Sequence, residues 1–320
     1  MQIRNIVVPL DGSRLAEHAL PHACSIARRS DASVHVVAIL PGAGFLAPAE
    51  VAGVPVDVVR QSQDELDAYL ERVLARIRQE GYVRVTGEIR IGSPVDGIMR
   101  TMRDYDADLV TITTHARGGF RRAWFGSVTD ELTRRTHVPL LVLKAGEVAP
   151  ADLTREPAAD AVVVPLDGSR LAEAAIEPAL AFAALFRLPV TLLRVVCGPF
   201  GISPFVPVPP EAAGDLRDEA AGAEAYVEAV AAELRLRGAV VRTVVVHDDS
   251  IASAIAACGT GALTVMATHG LSGMQRMLLG SVADKVVRFA DSPVVVVRPE
   301  RATATPWSSS TMAVKHPVMI

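Results

Sequence analysis

The chain has 320 residues, half of them hydrophobic and 21% charged, with a formal net charge of −4. That composition excludes a disordered chain, and the slight acidic excess leaves no basic face for nucleic acid or an anionic membrane. The length suits two domains, each large enough to bury its own core.

"MQIRNIVVPL" passes directly into an apolar strand, so no cleavable leader is expected. The strand empties into Asp11-Gly12-Ser13. A helix is expected from Ser13, whose hydroxyl can accept from a first-turn amide, with Leu15, Ala19, Ala23 and Ile26 on its inner face. A second strand ends in the Pro/Gly-rich loop "PGAGFLAPAEVAGVP", and a helical stretch follows around Gln63 to Gln79. "THARGGFRRAWFGSV" then leads to a last helix and an apolar strand after Pro139. "AGEVAPADLTREPAAD" reads as a linker, and the whole pattern begins again.

The second passage repeats the first. "VVPLDGSRLAE" stands at Val7–Glu17 and again at Val163–Glu173, an offset of 156 that becomes 154 where Pro139 meets Pro293. This is duplication of a whole domain. The divisions are 1–145 and 160–299 for the domains, 146–159 for the linker and 300–320 for a flexible tail. Strands are expected near Ala161–Leu166, Val190–Val196, Ala239–His247, Leu263–Ala267 and Val294–Arg298, with a helix around Ala221 to Arg237 after the loop "CGPFGISPFVPVPPE". Runs apolar throughout, alternating with helices, describe parallel strands covered on both faces, so each copy is a doubly wound five-stranded α/β domain.

In such a sheet ligands settle beyond the carboxyl ends of the strands, where strand order reverses. The repeated Asp-Gly-Ser lies there, and so does "ATHGLSGMQRMLLGSV", which enters the last helix through Ser281. A helix start offers unpaired amides, and glycines let backbone close on phosphate oxygens. The chain has neither GxxxxGK[ST] nor a GxGxxG opening its first helix, which disfavours a P-loop enzyme and a dinucleotide dehydrogenase.

The ordered set Asp167, Ala267-x2-Gly270-x9-Gly280-Ser281 and the strand after Pro293 resembles the universal stress protein family, in particular tandem members of its ATP-binding branch. The resemblance covers nearly the whole chain to about Arg298, twice. It implies an adenine nucleotide alpha hydrolase-like fold and ATP as ligand. Asp167 holds the ribose or adenine side, the backbone at Val195 reads the adenine edge, and Gly270, Gly280, Ser281 and Val282 receive phosphates. Pro165, Ala267 and His269 complete the set. The first copy offers Pro9, Asp11, Ile39, Thr113, Ala116, Gly126, Ser127 and Val128. The family pattern is G-x2-G-x9-G-[ST]; Ala267 departs from it mildly, whereas Thr113 and Ala116 replace two glycines, so the second copy ranks as the better site.

Simpler roles stand beside these. Asp11 and Asp167 suit helix-start residues, Ser127 and Ser281 suit caps, His115 and His269 shape their loops, and "HDDS" at His247–Ser250 suits a strand end followed by a cap rather than a metal cluster. Cys24, Cys197 and Cys258 read as small buried residues of a reducing cytoplasm. The expectation is a cytoplasmic ATP-binding stress or dormancy regulator whose two domains pack as an internal pseudo-dimer. Mg2+ or Mn2+ arrives on the phosphates, and a homodimer or protein partner stays open, as do a partner-binding scaffold and a slow ATPase or autophosphorylating enzyme.

Overall fold

The computed structural model describes residues 1–40, 56–81, 84–114, 126–144, 151–154, 158–197, 210–268 and 280–299. In the first half, β1 (Asn5–Leu10), a 3-10 turn (Ala16–His18), α1 (Ala19–Ser30), β2 (Ser33–Leu40), α2 (Val56–Gln79), β3 (Val85–Ile91), α3 (Pro94–Asp104), β4 (Leu109–Thr114), α4 (Ser127–Arg135) and β5 (Leu140–Lys144) follow in order. The second half repeats them as β6 (Val162–Pro165), α5 (Arg170–Glu173), α6 (Ile176–Phe186), β7 (Val190–Val196), α7 (Pro210–Leu236), β8 (Val241–His247), α8 (Ile251–Cys258), β9 (Leu263–Ala267), α9 (Ser281–Phe289) and β10 (Val294–Val297).

Each half is a parallel five-stranded sheet, and the two join into one ten-stranded sheet of order β3-β2-β1-β4-β5-β10-β9-β6-β7-β8. The joint is antiparallel, with Val294 opposite Val142, Val295 opposite Leu141 and Val296 opposite Leu140. Under the offset of 154, Leu141 and Val295 are equivalent residues. They therefore meet on a pseudo-two-fold axis, which is how a self-complementary interface pairs.

Strands buried on both faces need apolar side chains in both directions. Ile6, Val8 and Leu10 point into a layer shared by α1, α2, α6 and α7, whereas Val7 points into one shared by α3, α4, α8 and α9. Both layers run across the joint: Leu141 and Val295 enter the first, Leu140 and Val294 the second.

Several expectations on elements are corrected. Ser13 accepts from Ala16 N at 3.2 Å, but it opens a 3-10 turn and the regular helix begins at Ala19. Leu15 consequently lies half-buried in that turn, and the buried face of α1 is Ala19, Leu20, Ala23, Cys24, Ile26 and Ala27. Helices α2 and α7 start earlier than their apolar periodicity indicates. Cys197 is exposed and Cys258 half-buried, so of the three cysteines Cys24 alone is a buried one; its burial, opposed by Arg28, pushes the thiol up to about 11. Among the described residues no helix is long and apolar enough to cross a membrane.

Candidate functional site

Each half opens a crevice at its strand-order reversal. Strand β1 pairs with β2 from Asn5 to Leu10 but with β4 only at Ile6 and Val7. Likewise β6 pairs with β9 only at Val162 and Val163. Pro9 and Pro165 stand just past the point where those ladders stop. Val162 and Leu166 donate their amides toward β7, so by alternation Pro165 faces β9 and brings no N–H to prolong that pairing.

The repeated turn forms one wall. Gly12 has φ +80° and Gly168 φ +86°, and a Cβ on either would meet nothing within 4 Å. Conformation, not space, demands glycine there. Asp11 Oδ1 accepts from Ser13 N and Asp167 Oδ1 from Ser169 N, both at 2.9 Å, so each carboxylate also fixes its turn. Ser169 caps α5, accepting from Ala172 N at 3.1 Å. Asp11 is exposed and Asp167 half-buried.

Across the crevice stand α4 and α9. Their N-caps are Gly126 and Gly280, with no side-chain cap bond, and Ser127 and Ser281 are the first helical residues. The serines are thus exposed one position further on than a capping role requires. A glycine cap supplies no oxygen to the first-turn amides, which is the state an incoming anion needs. At Gly126 a Cβ would meet nothing within 4 Å, so that space is open. Val128 and Val282 are half-buried behind the serines.

The floor comes from strand ends. Thr113 is buried and its Oγ1 donates to Ala16 O at 3.4 Å; its counterpart Ala267 is buried and ends β9. Thr268 N donates to Val297 O and Gly280 N to Thr268 O, each at 2.8 Å, which ties the end of β9 to β10 and to the start of α9. Ile39 and Val195 occupy equivalent places near the ends of β2 and β7. Ile39 Cδ1 lies 2.6 Å from where a Cβ on Gly97 would stand, so α3 presses directly on that strand end. Ala116, His115, His269 and Gly270 lie outside the described residues.

Sequence reading passed over a pair beside each turn. Tyr226 on α7 donates to Glu173 Oε1 at 2.9 Å. Burial first, then Glu173 and Asp167, raises the tyrosine pKa, and Arg194 opposes this. In the first half Tyr69 lies beside Glu17, with its hydroxyl buried outside hydrogen-bond geometry. There Arg76 pairs with Glu17 at 2.6 Å and donates to Ala151 O of the linker at 2.9 Å. The repeated Glu17 and Glu173, each closing the same eleven letters, were the available signal. The "HDDS" stretch is a strand end and a cap: Ser250 accepts from Ser253 N, and no metal-holding cluster occurs among the described residues.

A sequence model of the universal stress protein family matches residues 2–144 and 159–298. The chain belongs to the universal stress protein family. Universal stress protein Rv1996 of Mycobacterium tuberculosis is 28% identical over 323 residues, spanning 94% of this chain and 97% of that one. Universal stress protein MJ0531 of Methanocaldococcus jannaschii is 28% identical over 142 residues, 44% of this chain and 82% of its own length. The crystal structure of a universal stress protein from Archaeoglobus fulgidus superposes with a TM-score of 0.65 at 17% identity, covering 93% of this chain and 99% of that one, and shares the fold.

Proposed function

We propose that this universal stress protein binds ATP and acts as a nucleotide-dependent regulator of stress or dormancy, with the second half as the stronger site. The observation that carries the reading is the crevice where β6 and β9 part, walled on one side by the Asp167 turn and on the other by the uncapped start of α9. A carboxylate facing one wall suits ribose hydroxyls, and free amides at the other suit phosphates. Pro165, Val195, Ala267 and Val282 complete the lining in this reading, joined by His269 and Gly270. Mg2+ or Mn2+ comes with the phosphates, which keep most of its coordination in water.

In the first half the same walls stand, but the turn's Glu17 is tied through Arg76 to the linker, and Thr113 and Ala116 replace two glycines of the family pattern. One tightly held ATP per chain is therefore expected. Mass spectrometry of the purified, denatured protein should find ATP, and titration should give a stoichiometry near one. Asp167→Asn preserves shape while removing the charge that meets the ribose, and should weaken ATP by about tenfold, or about 1.4 kcal/mol. Two equal sites per chain, or loss on Asp11→Asn in place of Asp167→Asn, would show that the wrong half was chosen. An empty protein that also fails to bind added ATP would leave a partner-binding scaffold as the better reading.

A further inference from the structure

We propose that Tyr226 is a positioning residue for the nucleotide turn of the second half: its hydroxyl, through Glu173, fixes the short segment that carries Asp167 against helix α7. The inference rests on the nucleotide reading above and deepens it.

Segment Leu166–Glu173 is compact in itself. Asp167 accepts from Ser169 N, Ser169 Oγ from Ala172 N, and Ser169 O from Glu173 N at 3.2 Å. A movement of Glu173 is therefore passed to Asp167 through a few short bonds. Two outside elements grip the segment. From α7, Tyr226 donates to Glu173 at 2.9 Å; from β7, Arg194 Nη1 reaches Leu166 O at 3.4 Å. Helix α7 opens just after the loop that leaves β7 beyond Val195, so Tyr226 links the element on the proposed adenine side to the turn on the ribose side.

The duplication supplies an internal comparison. Set with Tyr69 against Tyr226, an offset of 157, helices α2 and α7 also match at Ala68 and Ala225, Glu71 and Glu228, Val73 and Val230, Ala75 and Ala232, and Arg78 and Arg235, and in both halves the tyrosine arrives beside the glutamate that closes the repeated turn. The two pairs then differ. In the first half the glutamate is held by the Arg76 ion pair, and the buried Tyr69 hydroxyl interacts with the same carboxylate without a well-formed hydrogen bond. In the second half Glu233 replaces Arg76, and Tyr226 carries the contact. The same substitution, tyrosine to phenylalanine, thus removes a formed hydrogen bond in the second half and only a secondary interaction in the first, where Arg76 holds the glutamate.

ATP and adenosine affinities are measured by titration on the full chain and on Y226F, Y69F, E173Q and E173L, with ligand-free melting temperatures alongside. Loss of a hydrogen bond to a charged acceptor predicts about tenfold weaker binding for Tyr226→Phe. The loss should be equal for adenosine and ATP, because the turn meets the nucleoside and not the phosphates. Glu173→Gln keeps an acceptor and should stay within about threefold of the parent, Glu173→Leu should match Tyr226→Phe, and Tyr69→Phe should change affinity by less than about twofold. Adding Glu173→Leu to Tyr226→Phe should weaken binding no further, since both break one contact. A parent that binds ATP while Tyr226→Phe binds it as tightly, with only the melting temperature lowered, overturns the positioning role and leaves the nucleotide reading standing. A parent that binds neither ligand removes both.

Discussion

Gly12 and Gly168 show why the turn is written with the same letters twice: a left-handed backbone between a strand and a helix leaves the sequence little choice. Asp11 and Asp167 were legible as site candidates because they stand at strand ends, yet their bonds to Ser13 and Ser169 are a local turn role that the ribose reading shares rather than replaces. Other single residues left no such trace. His35 looks like an ordinary strand residue in the sequence, but it is buried, stacked on Tyr105 with 3.9 Å between ring centres, and bonded to Thr86 at 2.7 Å and Asn5 at 3.2 Å. Burial holds its pKa below the ordinary histidine value, with Glu88 opposing. Between the lowered folded value and the ordinary unfolded one, the unfolded chain binds more protons, so this residue's contribution is present above the unfolded pKa and is lost as pH falls through that window. Melting temperature should fall from pH 7.5 to pH 5, and His35→Gln should show a smaller fall than the parent. An equal fall in both would assign the acid sensitivity to other groups.

At the scale of elements, the glycine-capped starts of α4 and α9 separate a phosphate cradle from a tight connection. Gly280→Val places a β-branched side chain at the entry that the amides of Ser281 and Val282 must keep open. Gly280 has φ −50°, which valine tolerates, so the fold should lose little. ATP affinity should fall by at least about tenfold, adenosine affinity much less, and the thermal shift given by saturating ATP should shrink. A drop in melting equal with and without ATP would make the glycine structural. Strands β7 and β9 were legible to the residue, since short, mainly apolar and β-branched runs, interrupted only by Thr191, Arg194 and Thr264 and bounded by Pro189 and by Gly261, have little freedom to be anything else. Helix starts were less so. The opening of α7, "PEAAGDLRDEAAG", carries no apolar stripe, so periodicity begins only further along, and the 3-10 turn before α1 shares its composition with the helix it precedes. The glycine caps were misplaced by one residue because serine is the commoner cap.

At the scale of the molecule, the apolar runs Leu140–Lys144 and Val294–Val297 announce strands without saying which edge each will meet. The partner is the other half, and because the joint is antiparallel the carboxyl ends of the two sets of strands lie at opposite edges of the sheet. The two candidate crevices therefore open away from each other and share no lining, which favours independent binding. The joint also predicts how the halves behave when cut within 146–159. Each keeps five strands, and each exposes the edge of β5 or β10, a ready template for pairing. Since Leu141 already faces its own equivalent Val295, two copies of one half can pair in the same register. Sedimentation of either half alone should show dimers. The end residues then set the preference. In the whole chain Lys144 pairs with Asp291 at 2.6 Å. By the offset of 154, Asp291 corresponds to His137 and Lys144 to Arg298, so a first-half dimer sets Lys144 against His137, whereas a second-half dimer sets Arg298 against Asp291. Exposed ion pairs contribute up to about 1 kcal/mol, so the second half should dimerise a few-fold more tightly. Halves that remain monomeric at high concentration, or a first half that dimerises more tightly than the second, would show that the joint depends on the linker instead of on the paired edges.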